Sequence, residues 1–288
     1  MIRRRFVDVP GGQVHVREAN PLSDGGLSDG GLSDAGRTPL VMLHASPGSS
    51  KQIEDVVAAL GRGRRVLAPD TRGNGDSTPL PQDHPEIADF ARATLAFLDA
   101  AGLDRVDLYG SHTGASIAAE LSLLAPGRVR RLILDGMGLY PPEQRDEMLR
   151  TYAPAIVPDH QGTHLLWAFM FCRDQSVFWP WYAKGAENRR PTGLPDPGTL
   201  HDFTVEVLKS IGTYHRSYRA AFRYPKRERL PLVRVPTLAV TADDDMLRPF
   251  LDEVAALVPG AVRMALPPGE TPEGRRALVE AIAAFLDA

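Results

Sequence analysis

Apolar and polar positions alternate from Arg5 to Val9 and from Gln13 to Glu18, around Pro10-Gly11-Gly12, which predicts a β-hairpin. Two short unbroken apolar runs follow, Leu40 to Leu43 and Val66 to Ala68, the pattern of strands covered on both faces. Ser50 to Leu60 reads as a helix capped by Ser49 or Ser50, and Glu86 to Ala101 as another, with Ile87, Phe90, Leu95 and Leu98 on one face. Next comes a strand at Val106 to Tyr109, a turn of small residues, a helix at Ala115 to Leu124 and a strand at Leu132 to Leu134. Strand and helix alternating at this spacing predict an α/β protein with a doubly wound, mostly parallel sheet.

From Pro141 to about Leu230 the strand signals stop, and Trp167, Trp179 and Trp181 lie there with Tyr152, Tyr182, Tyr214, Tyr218 and Tyr224. The alternating pattern then returns: a strand at Thr237 to Thr241, a helix near Arg248 to Val258, a strand at Val262 to Leu266 and a last helix from about Pro272 to Leu286. Residues 20–38 stand apart. They repeat Leu-Ser-Asp-Gly-Gly in a stretch with too little apolar surface to order itself, which predicts a flexible loop. A calcium site on Asp24, Asp29 and Asp34 needs tighter spacing and more oxygen ligands, and no metal is expected.

Composition narrows the partners. A chain of 288 residues, 43% hydrophobic, can bury a large core. A net charge of −3 gives no reason to expect nucleic acid or an anionic membrane as partner. The single cysteine, Cys172, excludes an internal disulfide and points to a reducing compartment. Met1 to Pro10 is basic without an apolar core, and no later run is long enough to span a bilayer. A cytoplasmic protein acting on a small molecule is the expectation, with no signal of oligomeric state.

Chemistry concentrates at Gly110-Ser111-His112-Thr113-Gly114, between a strand and a helix. Glycines flanking a central residue at such a junction allow close strand–helix approach and hold that residue in a strained, exposed conformation. Here the central residue is His112, and histidine is among the few non-glycine residues enriched at positive φ. With Leu40 to Gly48 (LVMLHASPG), Val66 to Ser77 (VLAPDTRGNGDS) and Pro236 to Pro249 (PTLAVTADDDMLRP), this turn resembles the α/β-hydrolase superfamily, in its capped, epoxide-hydrolase or esterase-like branch. The matching segments fall in the family's order along nearly the whole chain. The resemblance implies a core at 1–140 and 231–288, an inserted helical cap at 141–230, no organic cofactor, and a catalytic acid at Asp245.

A serine hydrolase of this fold needs nucleophile, acid and histidine in that order. Here the tip is His112, and the segment after the last strand, Pro267-Pro268-Gly269-Glu270-Thr271-Pro272-Glu273, holds no imidazole. The standard triad is therefore absent, and three readings stand. In the first, Asp245 fixes the tautomer of His112, which acts as general base or nucleophile on a small, partly apolar carbonyl compound, an ester, a lactone or a C–C or C–O bond beside a carbonyl. By family analogy the backbone N–H groups of Ser46 and Thr113 stabilise an oxyanion. Lyase or isomerase chemistry suits the same constellation. In the second reading the chain keeps the pocket as a catalytically inactive binder. In the third Ser111 is the nucleophile, which needs a rearranged turn.

Further binding candidates are His44, whose family role is structural hydrogen bonding, and from the cap Trp167, Trp179, His201, His215 and Arg173, the last able to hold a carboxylate with its two-pronged guanidinium. The cap aromatics fit a binding cavity or the cap's own core equally. Asp70 and Asp76 fit turn and cap roles, and of Asp243, Asp244 and Asp245 only one is expected to face the cleft.

Overall fold

A computed structural model of the chain describes residues 1–20 and 37–288. The Gly/Ser/Asp repeat, with Asp24, Asp29 and Asp34, lies outside the described residues. The predicted hairpin is strand β1 (Ile2–Val9) paired with β2 (Gly12–Ala19), and the apolar runs are β3 (Leu40–Leu43) and β4 (Val66–Pro69). β5 (Val106–Ser111), β6 (Val129–Asp135), β7 (Thr237–Ala242) and β8 (Val262–Leu266) complete an eight-stranded sheet in the order β1-β2-β4-β3-β5-β6-β7-β8. β2 joins β4 antiparallel, and every pairing from β4 to β8 is parallel. The α/β, doubly wound, mostly parallel sheet read from the sequence is the fold observed.

Helices cover both faces, which is why the central strands are apolar on both sides. On one side α2 (Ile87–Ala100), α3 (Thr113–Leu124) and α9 (Leu251–Leu257) bury Phe90, Ile117 and Val254 against Leu43, Leu108 and Leu134. On the other, α1 (Glu54–Leu60) and α10 (Pro272–Asp287) bury Val57 and Ile282 against Met42, Tyr109, Ile133 and Val240. Each large apolar side chain so buried contributes about 1.5–3 kcal/mol. Local rules set several ends. Glu86 and Asp89 form a reciprocal capping box at the start of α2, and Ser49 accepts the amide of Lys51 at 3.1 Å to open a 3₁₀ turn before α1. That turn shortens the helix expected from Ser50.

Between β6 and β7 the chain is helical, with α4 (Pro142–Thr151), α5 (Thr163–Val177), α6 (Pro197–Lys209), α7 (Tyr214–Arg223) and the one-turn α8 (Lys226–Arg229). Its only strand-like pairing among the described residues is the bridge Phe178–Arg189. Hydrogen bonds tie it to the loops after β3 and β4: Ser49 Oγ donates to Glu206 Oε2 at 2.5 Å, and Thr213 Oγ1 donates to Gly73 O at 2.7 Å. No helix among the described residues is long and apolar enough to cross a membrane.

Candidate active site

Three neighbouring strand ends build the site. Ser111 of β5 is the Cα partner of Asp135 of β6, which is in turn the partner of Val240 of β7. The residues that follow, His112, Gly136 and the loop to Asp245, therefore leave the sheet side by side at its carboxyl edge, where parallel α/β sheets place their ligands.

His112 caps α3 at φ 51° and ψ −104°, and among the described residues it is the only non-glycine with positive φ. Such a conformation costs about 1–3 kcal/mol and persists only where its surroundings enforce it. Part of the enforcement is the hydrogen bond from His112 N–H to Asp135 O at 2.9 Å. The rest is close packing: a Cβ on Gly110 would collide with the main chain at Gly114, and one on Gly114 with the Leu43 carbonyl. Strand, turn and helix thus meet backbone to backbone, and the tip side chain is turned outward.

The imidazole reaches Asp245. Nε2 lies 2.8 Å from Asp245 Oδ2, while Asp245 Oδ1 accepts the Leu247 amide at 2.7 Å. An ionised Asp245 accepts a proton-bearing Nε2, so Nδ1 of the neutral ring carries the lone pair. Among the described residues Nδ1 makes no hydrogen bond, and the side chain is 27% exposed. Burial pulls the His112 pKa down, but the charge of Asp245, the hydrogen bond to it and the nearby Asp135 carboxylate together carry it above the ordinary imidazole value. Burial opposes ionisation of Asp245 too, yet the His112 charge and hydrogen bond hold it below the usual carboxylate range.

The adjacent aspartates go elsewhere. Asp243 accepts from Arg248 Nε at 2.8 Å, and Asp244 accepts the Gly269 amide at 2.7 Å, fixing the loop where a catalytic histidine would stand in a standard triad. Thr113 opens α3 and Ser46 lies in the loop after β3; the Ser46 amide has no acceptor among the described residues. A closed ring of hydrogen bonds holds that loop. Ser217 Oγ donates to Asn74 Oδ1 at 2.9 Å, which makes Ser46 Oγ the donor to Ser217 Oγ at 2.7 Å, and Asn74 Nδ2 donates to Pro47 O at 3.1 Å. Ser111 ends β5, one residue before the tip, which His112 occupies.

Several expected contacts fall away. His44 is buried with both ring nitrogens in use, Nδ1 on Ala45 O at 2.8 Å and Nε2 accepting the Thr71 amide at 2.9 Å, so it pins a loop and has nothing left for a substrate. Arg173 spends its guanidinium on Asp174 Oδ1, from Nε at 2.9 Å and from a terminal nitrogen at 2.6 Å, and is not the free carboxylate clamp expected. His201 is exposed on α6, in a surface cleft walled by Arg4, Arg17, Lys51, Glu54 and Lys209, away from His112. His215 sits beside Arg219 and Arg216; burial first, then the two guanidinium charges, push its pKa down to about 4.

The aromatics divide. Trp167 stacks on Phe171 at 4.8 Å inside the helical segment, whereas Trp179 packs on Tyr140 and Tyr152, two phenols that feel the Asp245 charge. Arg190 acts on the same groups: its charge is felt at His112, Asp245 and Tyr152, and it has no carboxylate partner among the described residues, its guanidinium donating to Gln175 O at 2.7 Å. Sequence reasoning missed Arg190, Asp135 and Gly136. Asp135-Gly136 carried a signal, an acid and a glycine closing the strand beside the elbow. Arg190 carried none.

One cluster of metal-ligand types occurs among the described residues, His15, Asp70 and Asp76. Asp70 there accepts from His15 Nδ1, the Ser50 amide and hydroxyl and the Asp76 amide, and Lys209 takes Asp76 at 2.8 Å, so protein donors fill the place of a cation.

The family model described as alpha/beta hydrolase fold matches residues 38–249. The chain belongs to this family. Among curated relatives, this α/β hydrolase is 36% identical over 115 residues to a 2-hydroxy-6-oxo-2,4-heptadienoate hydrolase of Pseudomonas putida, covering 39% of this chain and 42% of the relative. It is 38% identical over 112 residues to a 2-hydroxy-6-oxononadienedioate/2-hydroxy-6-oxononatrienedioate hydrolase of Dechloromonas aromatica, covering 36% of this chain and 38% of the relative. The chain thus spans about two fifths of the length of these relatives. Solved structures match throughout: an enol-lactonase from Burkholderia xenovorans superposes with TM-score 0.72 at 20% identity, over 99% of this chain and 100% of that one. A hydrolase from Pseudomonas aeruginosa gives 0.73 at 22%, over 99% of both.

Proposed function

We propose that this α/β hydrolase is an enzyme that cleaves a small, partly apolar carbonyl compound, an ester, lactone or C–C bond beside a carbonyl, with His112 as general base oriented by Asp245. The observation that carries this reading is the 2.8 Å contact of Nε2 with Asp245 on a ring held at positive φ, which leaves Nδ1 open to the cleft. Nδ1 takes a proton from water as the oxygen attacks the carbonyl carbon. The charge that develops on the carbonyl oxygen falls to the amides of Ser46 and Thr113. The imidazolium, paired with Asp245, then returns the proton to the leaving oxygen or carbon as the bond breaks.

The helical segment 141–230 acts as a cap in this reading, and the rest of the chain as the core. Trp179, Tyr140 and Tyr152 supply an apolar roof, and Arg190 supplies the cation for a substrate carboxylate. The names of the relatives support that class, since they are hydrolases of oxo-dienoates, carbonyl compounds that also carry a carboxylate. The test is turnover by wild type, His112→Ala, Asp245→Asn and Ser111→Ala on activated esters, lactones and vinylogous 1,5-diketo acids. Loss in the first two variants with retention in Ser111→Ala is expected; loss in Ser111→Ala alone would replace the reading with a serine nucleophile.

A further inference from the structure

A second carboxylate belongs to the same site. Asp135 closes β6 between Ser111 and Val240, its main-chain oxygen accepts the His112 amide, and its Oδ2 accepts the Tyr109 hydroxyl at 2.5 Å. Oδ1 makes no hydrogen bond among the described residues. Tyr109 is 2% exposed in the apolar layer against α10, so Asp135 is what satisfies a phenol brought there by strand alternation. The next residue, Gly136, stands against the His112 ring: a Cβ there would lie 2.7 Å from Cδ2. The imidazole therefore lies over the end of β6 and reaches across it to Asp245 after β7.

We propose that Asp135, held by Tyr109, is a positioning residue for His112: its main-chain oxygen fixes the turn that carries the ring, and its carboxylate, on the residue before Gly136, sets how firmly the imidazole keeps its proton. The proposal rests on His112 being the base. Tyr109 on β5, His112 at the turn and Asp245 after β7 act on Asp135, Ser111 is its strand partner, and Arg190 from the helical segment acts on His112 and Asp245. Burial first, then the charge of Asp245, raise the Asp135 carboxyl to about 6 against the opposing pull of Tyr109 and His112, while Asp245 is held low. Two acids driven apart beside one imidazole divide the work: Asp245 stays ionised and orients the ring, and Asp135, raised by burial, changes charge closer to neutral pH.

The test is an NMR titration of the His112 imidazole in the intact protein, comparing wild type, Asp135→Asn and Tyr109→Phe. Asp135→Asn removes a negative neighbour and lowers the His112 midpoint by about one pH unit, a roughly tenfold loss of proton affinity. Tyr109→Phe removes the donor that favours ionised Asp135 and shifts the midpoint the same way by less. An unchanged midpoint in folded Asp135→Asn overturns the proposal; if that variant does not fold, an unchanged midpoint in Tyr109→Phe does so. Failure of the base reading shows separately, as turnover surviving in His112→Ala.

Discussion

Gly136 and His112 occupy one space. A Cβ at Gly136 would stand 2.7 Å from His112 Cδ2 and 2.9 Å from Nε2, so the ring reaches Asp245 only because residue 136 has no side chain. Gly136 also sits at φ 64°, where an alanine is strained by roughly 1–2 kcal/mol. Gly136→Ala is expected to unfold at lower denaturant by about that amount and to lose on the order of 100-fold in kcat, because a displacement of one ångström costs that much in a positioned site. Urea melts and turnover on the best ester or lactone check both figures.

Backbone strain at the tip gives a second prediction. His112 holds φ 51° in the folded protein and nothing of the kind when unfolded, so His112→Gly removes the strain while removing the imidazole. The variant is expected to lose its turnover and to unfold about 1 kcal/mol harder than His112→Ala, which lacks the imidazole too but keeps the strained backbone.

The pH dependence of turnover follows from the His112–Asp245 contact. The folded imidazole has its pKa above the ordinary 6.5, and the acting form is the neutral one. Activity is therefore expected to rise with pH through a midpoint on the alkaline side of 6.5, and the pH profile of kcat/KM measures it. The same raised pKa means that the ion pair stabilises the fold below the unfolded pKa and is lost as pH rises through the folded one.

Lys226 makes the opposite contribution. It is buried without a carboxylate partner among the described residues, its ammonium donates to Ala221 O, and burial pushes its pKa from 10.5 down to about 7. Between those values the unfolded chain binds a proton that the folded one does not, so this residue makes stability climb with pH across that window, by up to about 1.4 kcal/mol per unit. Lys226→Met is expected to flatten that climb and to raise stability most near neutral pH, as urea unfolding compared at about pH 7 and about pH 9 measures.

Arg190 is the expected determinant of substrate charge. Arg190→Gln should raise KM on the order of tenfold for substrates bearing a carboxylate and leave neutral esters of the same size nearly unchanged, checked by paired steady-state kinetics.

Strand and helix order was legible because it is written in local periodicity: Leu40 to Leu43, Val106 to Tyr109 and Val262 to Leu266 fall within observed strands. His112 and Asp245 were legible for another reason, since each follows a recognisable strand end. Arg190 and the Tyr109–Asp135 pair were not, because their meaning comes from which strand ends and which helical loop meet in space, 26 residues apart in the second case. Arg173 shows the converse. Its residue type suited a carboxylate clamp, but the adjacent Asp174 had already taken the guanidinium.

The most direct test of His112 as the acting group is chemical rescue. His112→Gly leaves a space the size of the ring beside Asp245, and added imidazole can enter it. The account predicts that His112→Gly is inactive on the substrate that wild type turns over and that imidazole restores turnover in a saturable way, with no such effect in His112→Gly/Asp245→Asn. Turnover by His112→Gly at the wild-type rate without imidazole would contradict it.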